Sequence, residues 1–242
     1  MKQADGKDKY LRETPILNYS APEIQELIQR EGWKQLDDFH KIQGIYNYVR
    51  DEILFGYNKN DAIPASQVLR DGSGQCNTKA TLLMALLRAV NIPCRIHGFT
   101  VYKKVQKGAS SGFVTRQMPD EVVHTWVEVC CEEIWFCLEG VIIDKKYLQG
   151  LYKMFPGHKG AFCGYGVCVK DFQSPRIEWD RNDTYIQSEA IGQDFGVYDA
   201  PDDFLKEHRQ PLSMLKEFVY EHLGRHIMNR NVQRIRLAGS QK

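Results

Sequence analysis

The sequence of 242 residues has no long apolar run. No stretch approaches the roughly 18 residues that a membrane-spanning helix needs, so no membrane span and no membrane partner are expected. Residues 1–20 contain no apolar segment of the length found in secretory signals, about 7–15 residues. The net charge is only +1, which gives no broad basic field for binding nucleic acid.

The cysteines also lack a familiar arrangement. There are seven, an odd number, and no two are spaced Cys-x-x-Cys. Together with the missing export signal, this predicts a reduced protein in the cytoplasm. Cys163 and Cys168, with His158 close by in the sequence, make only a weak metal motif. We expect no bound metal there and no organic cofactor elsewhere.

Hydrophobic periodicity predicts helices first and strands afterwards. Spacings of three and four over residues 39–53 predict a long helix, and a second helix follows Cys76. Alternating residues predict three consecutive strands, the last two joined across Glu132-Glu133, and a C-terminal helix is expected from Pro211. This order favours an α+β fold whose antiparallel sheet is a meander. We expect one domain over residues 1–242, with a core at about 36–150, an irregular covering segment at 151–205 and a C-terminal helical extension at 206–242.

Cys76 stands at the first turn of the helix in "GSGQCNTKATLLMALLRAV". The N-terminus of a helix carries partial positive charge and unpaired N–H groups, which favour a thiolate and can receive an oxyanion. Lys79, one turn further on, is expected to add a positive charge near the sulfur. Gly72 and Gly74 are expected to allow close backbone approach and to leave space for a substrate. The alternative is that Cys76 is an inert packing residue.

His124 opens the alternating strand "HTWVEVCC". If Glu132-Glu133 is a two-residue turn, His124 lies opposite Val141 and Glu139 is its diagonal neighbour on the same face. A carboxylate in that position can orient the imidazole that activates a nucleophile. A three-residue turn would bring Asp144 to that face instead, so both carboxylates stay open here. His124 could also be a satisfied strand residue with no catalytic role.

Several segments, taken in order, resemble the transglutaminase-like superfamily, whose members have a papain-like thiol active site. The helix segment beginning Gly72-Ser73-Gly74-Gln75-Cys76 and continuing to "NIPCR" resembles the nucleophile region. The segment "HTWVEVCCEEIWFCLEG" resembles the histidine region, and "IYNYVRDEILF" resembles the usual lead-in. The resemblance covers roughly residues 40–145. It implies that Cys76 is the nucleophile and His124 the general base, and it places Glu139 where the family has an aspartate.

The resemblance also implies an activity close to that of bacterial-type transglutaminase-like cysteine proteases. We expect a thiol-dependent hydrolase or acyl-transfer enzyme that cleaves an amide or peptide-like bond through a Cys76 acyl-enzyme. The substrate would be a peptide or a small amide, with the loop 104–120 bordering the cleft. The alternatives are an amine-transferring transglutaminase, other acyl or isomerase chemistry on a small metabolite, and a non-catalytic binding module that retains the fold. The sequence does not fix the acceptor or the oligomeric state.

Overall fold

The computed structural model describes residues 8–110, 118–208 and 219–240. The helices are α1 (Pro22–Glu31), α2 (Asp38–Asp51), α3 (Ala65–Asp71), α4 (Cys76–Ala89), α5 (Lys145–Met154), α6 (Pro201–Glu207) and α7 (Arg225–Ser240). The strands are β1 (Leu54–Phe55), β2 (Ser73–Gly74), β3 (Cys94–Tyr102), β4 (Glu121–Cys131), β5 (Ile134–Cys137), β6 (Phe162–Gly164), β7 (Val167–Val169) and β8 (Ile191–Tyr198).

The main sheet is antiparallel and has the strand order β5-β4-β3-β8. The consecutive strands β3, β4 and β5 form the meander expected from the sequence, and helices cover the sheet, so the predicted α+β fold is confirmed. The sheet gains an edge strand that the sequence did not predict. β8 comes from the segment 151–205, which also holds the β6–β7 hairpin and α6, so the expectation that this segment is irregular was wrong.

The turn between β4 and β5 sets the register of the hairpin. Glu132 and Glu133 both have positive φ, 50° and 66°, as a tight two-residue turn requires. Cys131 therefore pairs with Ile134, as predicted. However, β5 ends at Cys137, and residues 139–142 form a 3₁₀ turn instead of more strand. The expected ladder position of His124 opposite Val141 is therefore wrong.

The helix α4 runs through the centre of the core. Every residue from Asn77 to Arg88 is buried, including Leu82 and Met84 on opposite sides of the helix. A helix that is apolar around most of its circumference must be enclosed by neighbours. α4 packs against α2 and α3 on one side and β4 on the other. Its N-terminus is thereby fixed relative to the sheet.

The C-terminal helix α7 packs along α5. At the crossing, a Cβ placed on Gly150 would lie only 2.0 Å from the carbonyl oxygen of Ile235, so this approach requires glycine. Part of the helix expected from Pro211 falls on residues 209–218, which lie outside the described residues. A π-helical turn at residues 220–224 leads into α7.

Two further features concern the cysteines and membranes. Cys163 and Cys168 face each other across the β6–β7 hairpin and are joined in a disulfide, where the sequence predicted reduced thiols. Cys76 is a free, partly exposed cysteine, and the other free cysteines are buried. Within residues 8–110, 118–208 and 219–240, no helix has the length and apolarity to span a bilayer.

Candidate active site

Short local elements place Cys76 at the start of α4. α3 ends at Gly72, whose φ of 62° gives the left-handed conformation that closes helices. The next residues form β2, which runs parallel to β1 and pairs Gly74 with Phe55. The chain then turns into α4, where Thr78 Oγ1 accepts a hydrogen bond from the backbone N–H of Gln75 at 3.0 Å. Cys76 is thus the first helical residue, as the sequence predicted.

Gly74 is required by close packing. A Cβ at this position would lie 2.7 Å from Thr78 Oγ1 and 3.0 Å from Lys79 Cγ, and both of these side chains are buried. The predicted close approach is present, but the space is filled by the chain itself. The expectation that Gly74 leaves room for a substrate was therefore wrong.

His124 lies on β4 and faces the N-terminus of α4. It is 2% exposed, pairs with Phe99 of β3, and meets the Phe99 ring edge-on at a centroid distance of 4.7 Å. The hydroxyl of Thr125 donates to Asn77 Oδ1 at 3.0 Å. Because Asn77 follows Cys76 and Thr125 follows His124, this bond ties the two elements together beside the predicted pair. The sulfur of Cys76 is near enough to His124 to raise the pKa of the imidazole.

Glu139 is fully buried beside His124. Its Oε1 lies 3.6 Å from Nε2 of His124, which is ion-pair distance and longer than a hydrogen bond. Its Oε2 accepts hydrogen bonds from the backbone N–H groups of Ile186 at 3.0 Å and Gln187 at 3.1 Å. Because Nε2 faces the carboxylate, Nδ1 is the ring nitrogen left for the sulfur of Cys76. The structure therefore brings together the three residues that the sequence singled out.

The charge state of His124 follows from its two neighbours. Burial by itself lowers the pKa of an imidazole, since it disfavours the cation. Here the sulfur of Cys76 and the carboxylate of Glu139 outweigh burial and raise the pKa of His124 to about 10. The ring is therefore an imidazolium at neutral pH, between the sulfur of Cys76 and the carboxylate of Glu139.

Asp144, the other carboxylate that the sequence left open, has a different place. It caps the N-terminus of α5, where Oδ1 accepts from the backbone N–H of Tyr147 at 2.8 Å. Its Oδ2 accepts from the backbone N–H of Phe55 at 2.9 Å and from Arg236 at 2.7 Å. All of these partners hold α5 and α7 to the core. The residue beside His124 is Glu139, and Asp144 is a structural residue.

Lys79 does not supply a positive charge beside Cys76, and that expectation was wrong. The side chain is fully buried, and its Nζ donates to the backbone carbonyls of Arg50 at 3.0 Å and Ile142 at 3.2 Å. Burial lowers the pKa of Lys79 to about 7. Helical spacing placed Lys79 one turn from Cys76, but the side chain extends into the core toward α2.

Residues that the sequence analysis did not single out surround the thiol. Asp61 Oδ1 accepts a hydrogen bond from Gln75 Nε2 at 2.9 Å. Tyr57 and Tyr220 are close enough to Cys76 to interact with it electrostatically. Tyr57 comes from the loop after β1, and Tyr220 from the turn before α7. The only sequence signal for the loop was its run of Asn, Asp and Pro, which indicates a connection and says nothing about a site.

The loop after β3 contacts this region, as expected for the loop 104–120. The hydroxyl of Tyr57 donates to Gln106 Oε1 at 2.6 Å, which joins that loop to a residue beside Cys76. Residues 111–117 of the expected lid lie outside the described residues.

Comparison with known families agrees with the motifs. Residues 28–139 match the model of the transglutaminase-like superfamily, and the match contains Cys76, His124 and Glu139. These residues form a transglutaminase-like superfamily domain, so the resemblance seen in the sequence is confirmed. Members of this superfamily are usually cysteine-dependent enzymes.

The match to solved structures is more distant. A crystal structure from Cytophaga hutchinsonii, described as a putative cysteine protease, is 14% identical with a TM-score of 0.46. The alignment covers 81% of this chain and 48% of the other, so the chain spans about half the length of that structure. No curated protein matches the sequence.

Proposed function

We propose that the protein is a thiol-dependent enzyme that cleaves an amide or peptide-like bond through an acyl-enzyme on Cys76. The observation that carries the proposal is the placement of Cys76 at the first turn of α4, near the buried ion pair of His124 and Glu139. Each member has the chemistry that its role requires: a nucleophile, a proton carrier and a group that orients the carrier. Water as the acceptor gives hydrolysis, and an amine as the acceptor gives acyl transfer.

The proposed reaction uses His124 twice. In the first half, the proton of the Cys76 thiol resides on His124 Nδ1, and the sulfur attacks the substrate carbonyl carbon. The backbone N–H groups of the first turn of α4 point toward this end of the helix and can stabilise the oxyanion. When the C–N bond breaks, His124 returns its proton to the leaving amine and a thioester remains. In the second half, water or an amine attacks the carbonyl carbon of the thioester while His124 takes its proton. The C–S bond then breaks and releases the acid or the new amide, so Cys76 is regenerated with its proton on His124.

Glu139 is suited to its role although the family pattern has a shorter residue. Its backbone belongs to the 3₁₀ turn beyond β5, which sets it back from the strand, and one carboxylate oxygen is fixed by two backbone N–H groups. The additional methylene is thus accommodated, and the other oxygen faces His124. A fixed carboxylate beside the imidazole argues against the alternative of a binding module that has lost catalysis.

The proposal is tested by trapping the acyl-enzyme. The protein is mixed with p-nitrophenyl acetate, and the nitrophenolate burst is recorded while intact mass and peptide mapping locate the acetyl group. We expect one acetyl group on Cys76, with the burst abolished in Cys76→Ala. Cys131→Ala, which removes a buried free cysteine at the far end of β4, is the control and should keep the burst. A burst that persists in Cys76→Ala would contradict the proposal.

The acceptor is determined by a second measurement on the same acyl-enzyme. Turnover in the presence of a labelled primary amine separates hydrolysis, which releases acetate, from transfer, which releases the labelled amide. The first product supports the hydrolase and the second the amine-transferring alternative.

A further inference from the structure

The β6–β7 hairpin lies next to the backbone that holds Glu139. The backbone N–H of Cys168, in the middle of β7, donates to the carbonyl oxygen of Ile186 at 2.8 Å. The backbone N–H of Ile186 in turn donates to Oε2 of Glu139 at 3.0 Å. A single residue, Ile186, therefore lies between Cys168 and the carboxylate that is proposed to orient His124.

The turn of the hairpin holds the next residue, Gln187. Nε2 of Gln187 donates to the carbonyl oxygen of Gly166 at 2.6 Å, while its backbone N–H donates to Oε2 of Glu139 at 3.1 Å. Gln187 is 2% exposed, and Ile186 and Glu139 are fully buried. Because unpaired polar groups are costly at such depth, the hairpin, the segment 186–187 and the carboxylate hold one another in place.

A disulfide supports this hairpin. The hairpin consists of three residue pairs, and the middle pair is Cys163 with Cys168, which are joined covalently. So short a two-stranded ribbon is only marginally stable by itself. A cross-link limits the conformations of the open hairpin and so favours the paired form. The disulfide therefore helps to hold β7 against Ile186.

The disulfide can be reached from solvent, because Cys163 is exposed whereas Cys168 is only 2% exposed. A thiolate of a dithiol can attack Sγ of Cys163, which breaks the S–S bond and releases Cys168 as a thiolate that takes up a proton. The second thiol of the reagent then attacks the mixed disulfide and releases Cys163 as a thiol. Two electrons pass to the protein, and the dithiol becomes a disulfide.

We propose that the Cys163–Cys168 disulfide is a redox-modification site, whose reduction by a dithiol loosens the hold on Glu139 and slows acylation of Cys76. The inference rests on the proposed function, in which Glu139 orients the base of Cys76. In the oxidised protein, β7 fixes the segment 186–187 and the carboxylate faces His124. In the reduced protein, β7 separates more readily from that segment, and the carboxylate is no longer fixed.

The test compares the two redox states of the whole protein. The wild type is reduced with dithiothreitol, the reagent is removed, and p-nitrophenyl acetate is added. Acetylation is followed by the mass of the Cys76 peptide, so that acetylation of the free Cys163 thiol is not counted. We expect Cys76 to be acetylated about tenfold more slowly in the reduced protein, because the imidazole is less well oriented. Reoxidation with oxidised glutathione should restore the rate.

The matched variant is Cys163→Ser, which removes the disulfide at its exposed end and leaves the buried Cys168 in place. It should show the low rate both with and without dithiothreitol. Ala161→Ser, at an exposed position next to β6, keeps the disulfide and should respond as the wild type does. If Cys163→Ser does not fold, the reduced and reoxidised wild type decide alone. Equal rates in the two wild-type states, or a disulfide that dithiothreitol does not reduce in the folded protein, would overturn the inference.

NMR separates this inference from the proposed function. In the reduced protein, the amide hydrogens of Ile186 and Gln187 should exchange faster, and the pKa of His124 should fall because Glu139 is one of the groups that raise it. These changes without acetylation of Cys76 in either state would refute the proposed function and keep the link from the disulfide to Glu139. Rapid acetylation of Cys76 in both states with neither change would leave the proposed function standing and refute the link.

Discussion

Glu139 shows how a single side chain sets the charge of the site. A fully buried carboxylate is costly unless it is paired. Oε2 of Glu139 accepts hydrogen bonds from two backbone N–H groups, whereas Oε1 has no hydrogen bond within the described residues and faces the imidazolium of His124 at ion-pair distance. The 3.6 Å separation is an ion-pair contact, so the attraction is mainly electrostatic. Replacing only the charge, while keeping the shape, therefore tests the role of Glu139 most directly.

Glu139→Gln should lower the pKa of His124 from its value of about 10, because the variant removes one of the two groups that raise it. The raised pKa stabilises the fold: this contribution is complete below about pH 6.5, the ordinary value for histidine, and is lost as pH rises toward 10. In Glu139→Gln this contribution to stability should be lost at a lower pH than in the wild type. NMR titration of the His124 ring measures the pKa, and denaturant unfolding at several pH values measures the stability.

Activity gives the second readout for the same variant. Loss of the orienting carboxylate should reduce the acylation rate by roughly 10²–10³-fold, less than the effect of Cys76→Ala. Glu52→Gln, at an exposed position after α2, is the control. An unchanged His124 titration in Glu139→Gln would show that Glu139 does not act on the ring.

Lys79 gives the opposite dependence on pH. Its pKa is lowered to about 7 by burial, so between pH 7 and about 10.4 the unfolded chain binds a proton that the folded chain does not. The Lys79 contribution to stability therefore rises with pH over this range, opposite in sign to the His124 contribution, which falls over the same range. Lys79→Met should remove this rise. Lys146→Met, which removes the same charge from an exposed position on α5, shows what net charge alone contributes.

Unfolding by urea at pH 7 and pH 10 provides the comparison for these two lysine variants. We expect the change in stability from pH 7 to pH 10 to be less favourable in Lys79→Met than in the wild type and in Lys146→Met. The same change in all three proteins would show that Lys79 makes no such contribution.

At the scale of elements, the site depends on the junction of β2 and α4 and on the tie between α4 and β4. The parallel pairing of Phe55 with Gly74 fixes where α4 begins, and the bond from Thr125 to Asn77 fixes α4 against the strand of His124. Neither contact involves the reacting atoms. The two contacts decide the distance between the side chains of Cys76 and His124. Small changes in backbone packing should therefore appear as changes in the reactivity of Cys76.

Gly74→Ala tests this junction. The new Cβ would overlap Thr78 and Lys79 in a closed space, which should cost about 1–3 kcal/mol of unfolding free energy and displace Cys76. Gly72→Ala is the matched control two residues earlier. Its φ of 62° makes alanine strained by about 1–2 kcal/mol, but no atom lies within 4 Å of the added Cβ.

The two glycine variants are compared by denaturant unfolding and by the rate at which iodoacetamide alkylates Cys76. We expect both to lose stability but only Gly74→Ala to lose reactivity. Equal alkylation rates in the two variants would show that the packing of Gly74 does not position the thiol.

At the scale of the whole molecule, the C-terminal helix completes the site. Asn229 of α7 exchanges two hydrogen bonds with the backbone of Tyr57, at 2.7 Å and 3.0 Å, and Tyr57 is close enough to Cys76 for an electrostatic interaction. Arg236 forms a buried ion pair with Asp144 at 2.7 Å and donates to the carbonyl of Phe55 at 2.9 Å. α7 is therefore anchored to the segment that leads to the nucleophile.

Arg236→Met should destabilise the protein by about 3–5 kcal/mol, because it leaves Asp144 buried without its cation. Burial by itself would raise the pKa of Asp144, but Arg236 helps to hold this pKa below its ordinary value. The stability that the ion pair contributes is therefore lost as the pH falls below about 4. Arg236→Met should lose less stability than the wild type when the pH is lowered. Arg234→Met, on the exposed side of the same helix, is the control.

Acid unfolding of these two arginine variants, followed by circular dichroism, tests the link. If Arg234→Met were as destabilising as Arg236→Met, the buried ion pair would not be what holds α7.

The sequence by itself determined the features that depend on neighbouring residues. Helical periodicity identified α4 and placed Cys76 at its start, and the two-residue turn at Glu132-Glu133 set the register of β4 and β5 as far as Cys137. These features are local, because hydrophobic spacing and turn length act over a few residues. The motifs also indicated the superfamily, since they preserve the order of the same local elements.

Only the tertiary structure decided the contacts between distant segments. It directed Lys79 into the core, committed Asp144 to Arg236, and added β8 to the sheet edge. It also brought Asp61 to the side chains on either side of Cys76. The physical reason is that each of these positions depends on which remote backbone and side-chain groups satisfy a buried charge or a strand edge, and such pairings leave no periodic mark in the sequence.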